Sequence, residues 1–466
     1  MDREGIMAIA KTGAKTSIPT SVKTNVKVSA RTRPLMAIIA KAGLLLPLLV
    51  LFYGPGTLAE SSNELRLERA ELYGDRPVRE PMIARHPEGD LFVAGYRRST
   101  DPNMSPQLWR SQDGGETWLP VDVGSVADGA RGNSDVDLAV GPDGTLYFVV
   151  MGYDRGAFEG VHIVIGASTD RGDSWRWHTL AQERNSDRPW VGVADDGVAH
   201  VIWNDGRGVR YAVSDDRGQS WQTRPRIHPQ GGSSHLAIGP KGELAVRVVP
   251  ISAAGRQVHP GVDHIAVSLD GGDSWSSQAL PEPLEWSSNL GQDGKLPRWV
   301  EPLAWDQRGR LYSLWSSGRE VKLAWSVDQG VTWQSTTLQV EESNAYYPYL
   351  IARGDGEVAA TWFVGEGDEL AVRLAYAQGS FANGATPAIS LAQLFQQPAW
   401  LEVNGEVRRD TGGEYLPISW LDDGRVAVAA VAQHGNGDRI DGPDAEVRQG
   451  FVWRVYRLPV RVNGQD

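Results

Sequence analysis

The chain has 466 residues, with 46 Lys and Arg against 58 Asp and Glu, 53 Gly, 27 Pro, 18 Trp and no Cys. The lack of cysteine excludes disulfides, thiolate metal sites and cysteine nucleophiles, so a fold of this size must be held by core packing. Residues 1–59 hold eight of the basic and two of the acidic residues, which leaves 38 basic against 56 acidic side chains in the rest, a net of −18 that argues against a nucleic-acid partner.

Residues 1–41 are polar and basic, and an apolar run follows from Ala42 to Tyr53. The run is too short for a comfortable membrane span and is interrupted by Pro47. Gly54-Pro55-Gly56 ends it, and Thr57-Leu58-Ala59 places small residues where a signal peptidase needs them. The layout predicts a leader, 1–59, cleaved after Ala59, with Met36 as an alternative start that gives a leader of ordinary length. The alternative is a retained anchor. Either way the body, 60–466, is expected outside the cytoplasm, secreted or periplasmic, touching a membrane only through its export signal.

Downstream, one pattern recurs five times: SQDGGETW at 111–118, STDRGDSW at 168–175, SDDRGQSW at 214–221, SLDGGDSW at 268–275 and SVDQGVTW at 326–333. Ser ends a strand, Asp accepts backbone N–H groups of the turn, Gly supplies positive φ, and Trp packs between sheets. Each copy offers one well-placed carboxylate, too few for a hard cation, so no metal site is read here and no cofactor is implied. A second pattern keeps step with the first: an apolar strand, a turn ending in Gly, and another apolar strand. Its turn glycines are Gly89, Gly144, Gly197, Gly242, Gly309, Gly356 and Gly424. Seven hairpins, five of them leading into a third and fourth strand, predict an all-β propeller of four-stranded blades. Seven blades are expected, with six as the alternative. The sixth has LAVRLAYAQGSF in place of a box, and the seventh lacks a strand that LRLERAEL at 65–72 can supply, which would remove an open edge.

The eight-residue boxes resemble the Asp boxes of the sialidase (neuraminidase), or BNR-repeat, superfamily, and the resemblance covers nearly all of 64–460. It implies a propeller glycoside hydrolase of exo-α-sialidase type. Such enzymes use a Tyr nucleophile helped by a Glu, an Asp acid/base, and three Arg that clamp the sugar carboxylate. Carried over by position, Arg79 in Val78-Arg79-Glu80-Pro81 matches the first clamp arginine and Arg98 a second pocket arginine. Arg319, seven residues before Ser326, matches the last. Tyr347 in the strand Asn344–Leu350 aligns with the nucleophile. The acid/base position reads Met104-Ser105-Pro106-Gln107, so Asp101, or Asp135 or Asp137 from the next blade, is the nearest carboxylate. The helper Glu position reads Ser233 and the middle clamp position Val248. Arg247, one residue early, and Glu301 are the substitutes that remain, although a one-residue shift turns a strand side chain to the other face.

A reading independent of the family reaches the same end of the propeller. Its inner strands begin at Arg79/Glu80, Ser134/Asp135, Asp187/Arg188, Ser234/His235, Arg298/Glu301, Tyr346/Tyr347 and Glu414/Tyr415. Charges and phenols of this density are not needed for packing and suit a ligand-binding mouth. Trp190 and Trp299 stand beside it, either as sugar platforms or as inter-blade packing. Two functions follow: an enzyme acting on an acidic sugar, or a non-catalytic propeller that binds a glycan or an envelope protein.

Overall fold

The computed structural model describes residues 64–459 apart from 75, 77, 230, 251–260, 284, 287–299, 366–368, 383–386, 399, 404–405, 410–412, 422–423 and 432–449. The leader read at 1–59 lies outside the described residues. The described residues form seven four-stranded antiparallel sheets and two two-stranded ribbons. Each sheet is a blade, and each innermost strand contacts the innermost strands on both sides, so the seven close into a ring. These strands are Arg79–Arg85, Ser134–Val140, Asp187–Val193, Gly232–Ile238, Leu303–Trp305, Ala345–Arg353 and Ile418–Leu421, numbered here as blades one to seven.

The seven-bladed expectation holds, as does the closure. Arg66–Tyr73 pairs antiparallel with Phe451–Arg457 and completes blade seven with the N-terminal segment. The seven hairpin glycines all have positive φ, from 75° to 101°. Apolar side chains of the second strands, such as Phe92, Phe148, Ile202, Val246 and Leu314, are fully buried in the seams between blades.

The boxes are those seams' clasps. In the fourth box, Asp270 accepts the Ser274 hydroxyl and backbone N–H and the Ser268 hydroxyl, while the Gly272 N–H donates to Ser268 Oγ at 2.8 Å. These donors, the Ser274 hydroxyl foremost, hold the Asp270 carboxyl down to about 2. The other four boxes repeat the Ser, Asp and Gly bonds. The box Trp and Gly then press on the preceding blade. Trp118 lies 4.9 Å from Trp453 of blade seven, and Trp275 5.7 Å from Tyr211 of blade three. In blade six, where no box exists, Phe381 takes the Trp position and packs against Tyr312 and Trp325 of blade five.

A methyl on Gly272 would collide with the Tyr211 hydroxyl, whereas one on Gly271 would meet nothing, although both residues have positive φ. Gly272→Ala is therefore expected to destabilise the fold by about 1–3 kcal/mol through overpacking, added to its backbone strain. Gly271→Ala carries the strain alone. Urea midpoints of the two variants check this, and equal midpoints would remove the clasp role from Gly272.

Candidate functional site

The inner strands do not enter the ring regularly. In blades one, three and six, the second or third residue of the strand is followed by Pro81, Pro189 or Pro348, and the pairing register slips there. Proline has no N–H for the ladder, so the extra residue of a bulge is taken at that point. The residue before each proline, Glu80, Arg188 or Tyr347, sits at φ 45°, 50° or 46°. Positive φ is costly for such side chains and clusters at functional sites. It also re-aims them toward the centre of the ring.

Contacts that cross the ring locate that centre. Arg188 Nη2 of blade three forms an ion pair with Glu414 Oε2 of blade seven at 2.9 Å. Tyr415 of blade seven donates to Asp135 Oδ2 of blade two at 3.4 Å. Glu80 of blade one accepts the Glu414 backbone N–H at 3.2 Å, and Tyr96 Oη lies 3.0 Å from its other carboxyl oxygen. One layer deeper, Trp190 meets Tyr415 at 5.2 Å and His235 at 5.0 Å, and His235 meets Tyr349 at 6.0 Å. Aromatic rings from four blades thus plug the channel below the polar mouth. Trp190, only 2% exposed, is packing and not a sugar platform; Trp299 and Arg298 lie outside the described residues.

The electrostatics follow from burial. Glu80 is held well above the ordinary carboxylate range, first by burial and then by the neighbouring Asp135 and Glu414, against the pull of Arg79. Its surroundings therefore favour the protonated form. Asp137 is pushed up to about 7 by burial, although it accepts the backbone N–H groups of Val191 and Leu138. His235 is pushed down to about 4 by burial and stays neutral. Around the mouth, Arg79, Asp135, Arg188 and Glu414 are half-buried and line a rim of mixed charge. Among the described residues no group of three or more His, Asp or Glu is arranged to hold a metal ion.

No family model matches the chain. A sialidase of Micromonospora viridifaciens is 24% identical over 361 residues, which are 67% of this chain and 54% of that protein. The chain therefore spans about half the length of this relative. Among solved structures, an ulvan lyase of polysaccharide lyase family PL25 superposes with a TM-score of 0.50 at 10% identity, over 83% of this chain and 95% of that one. A Hadza microbial sialidase gives 0.41 at 16% identity, over 69% and 68%. At such identities the solved structures speak for the fold alone. The chain is a seven-bladed β-propeller with sequence similarity to a sialidase.

In this propeller, the residues picked out in the sequence fall into three groups. Arg79 and Asp135 stand at the mouth, and Tyr347, at the start of the inner strand of blade six, packs against the core shared by blades six and seven. Arg98, Arg319 and Asp101 are exposed on connections that follow the second strands of blades one and five. Arg319 Nε donates to the Glu341 carbonyl at 2.6 Å, and Asp101 accepts the Asn103 N–H at 2.9 Å. Arg247 and Glu301 meet each other: Arg247 is completely buried, 2.8 Å from Glu301 and paired also with Asp263. Tyr96, which ends the second strand of blade one, was not singled out in the sequence. The signal was its place opposite Arg79 in the ladder.

Proposed function

We propose that the chain is an exported glycan-active enzyme, a glycoside hydrolase that takes acidic sugars at the strand-start mouth of the propeller. The observation that carries the reading is the convergence there, from four blades, of Glu80, whose protonated form is favoured by burial, with Asp135, Arg188, Glu414 and Tyr415. A proton-bearing carboxyl is what a leaving glycosidic oxygen requires. Glu80 gives its proton to that oxygen as the bond to the anomeric carbon breaks. A phenol attacks the carbon and passes its own proton to a carboxylate, and water then releases the sugar. Tyr347 is the nucleophile by alignment. Tyr415, already hydrogen-bonded to Asp135, is another phenol at the mouth. Arg79 supports binding of an acidic sugar. The sialidase relative, the apolar run and the small residues before Glu60 support the substrate class and the export.

Release of a fluorescent aglycone from an α-sialoside by the purified protein, beside Tyr347→Phe and Tyr415→Phe, tests this. Turnover is expected in the wild type and its loss in one variant, which names the nucleophile. No turnover of this or any other acidic glycoside would sink the enzymatic reading and leave a propeller that binds a glycan or an envelope protein.

A further inference from the structure

Arg188 has an unusual inventory. Nη2 is ion-paired with Glu414, Nε is 3.8 Å from Asp187, and Nη1 is buried with no hydrogen-bond partner among the described residues. An orphaned guanidinium N–H inside a protein is costly, and such groups call for a partner that arrives from outside. The backbone beneath it is also held at positive φ, so the side chain is aimed at the mouth at a cost to the fold. A planar guanidinium with one edge orphaned and the adjacent nitrogen on a displaceable carboxylate is a half-filled fork for an anion.

Glu414 is the displaceable part. Its backbone N–H is fixed on Glu80, but its carboxylate is half-buried and pairs with Arg188 at 2.9 Å. We infer that Arg188 is the anchor for the carboxylate of an acidic sugar, and that Glu414 is a placeholder which the ligand's carboxylate displaces on binding. This rests on the mouth being the glycan site.

Facing Arg188 are Glu414 and Tyr415 from blade seven, Asp187 from its own strand and Asp135 from blade two.

Calorimetric titration with glucuronate and with N-acetylneuraminate tests this, with N-acetylglucosamine as the neutral control. The wild type is expected to bind at least one acid. Arg188→Gln should weaken binding at least tenfold, and Arg188→Lys should be intermediate. Glu414→Gln should bind more tightly, because the placeholder no longer competes; this variant keeps the inference testable if the Arg188 variants fail a melting control. Equal affinity in the wild type and Arg188→Gln, equal binding of the neutral sugar, or no binding of either acid would overturn the anchor. Failure of the anchor with glycoside turnover intact leaves the enzymatic reading standing. Arg188-dependent binding without any turnover does the reverse.

Discussion

Glu80→Gln is expected to lower kcat on an unactivated glycoside by roughly 10²–10⁴-fold, the usual contribution of a positioned general acid. The residue is fit for the task because burial, then Asp135 and Glu414, favour its protonated form. Activity that depends on this proton falls as pH rises through the raised value of Glu80, and that alkaline limb should vanish in the variant. The loss should shrink for an aryl glycoside whose leaving group is already a stable anion, since little proton transfer is needed there. A merely structural role would lower both substrates alike. Stability supplies an independent check. A carboxyl raised in the folded state leaves stability intact below its unfolded value, about 4.3, and erodes it as pH rises through the folded one. Wild-type stability should therefore decline across that interval, and Glu80→Gln should flatten the decline. Unchanged kcat on both substrates would remove Glu80 from the chemistry.

The architecture was legible in the sequence because it is written seven times. The turn glycines and the box sequences each report local geometry, and local geometry repeated seven times leaves few folds. Even the closing strand at 65–72 could be placed, since only an unpaired edge in blade seven had room for it. The mouth was legible as a list of residues, since strand starts are countable, but not as an arrangement. That Arg188 meets Glu414 and Tyr415 meets Asp135 depends on which blades face each other across the ring. The three X-Pro steps were visible as letters. What they do, a bulge at positive φ that swings Glu80, Arg188 and Tyr347 inward, depends on pairing register and not on neighbours in sequence. Arg247 illustrates the same limit. It was noted as one residue out of step with a clamp position, and its ladder partners His235 and Ile265 fix a side chain that reaches Glu301 and Asp263 inside the fold.

That buried triad carries the second large effect. Arg247 has no exposed surface, and Asp263 and Glu301 almost none. Two carboxylates deprived of water around one guanidinium are tolerable only while it is present. Arg247→Met is expected to cost roughly 3–5 kcal/mol, the range for breaking a buried ion pair from one side. The variant's urea midpoint should fall while the slope of its transition stays the same. Replacing Arg247, Asp263 and Glu301 together by apolar residues of similar volume should recover most of the loss, because no charge is then left buried alone. Glycoside turnover measured well below the variant's transition separates a fold role from a ligand role. If Arg247 acts through the fold, KM in the folded fraction of Arg247→Met stays near the wild-type value. A midpoint unchanged from the wild type, with KM raised tenfold or more, would instead make Arg247 the middle clamp arginine that its place near Val248 suggested, and would require the triad to open when substrate binds.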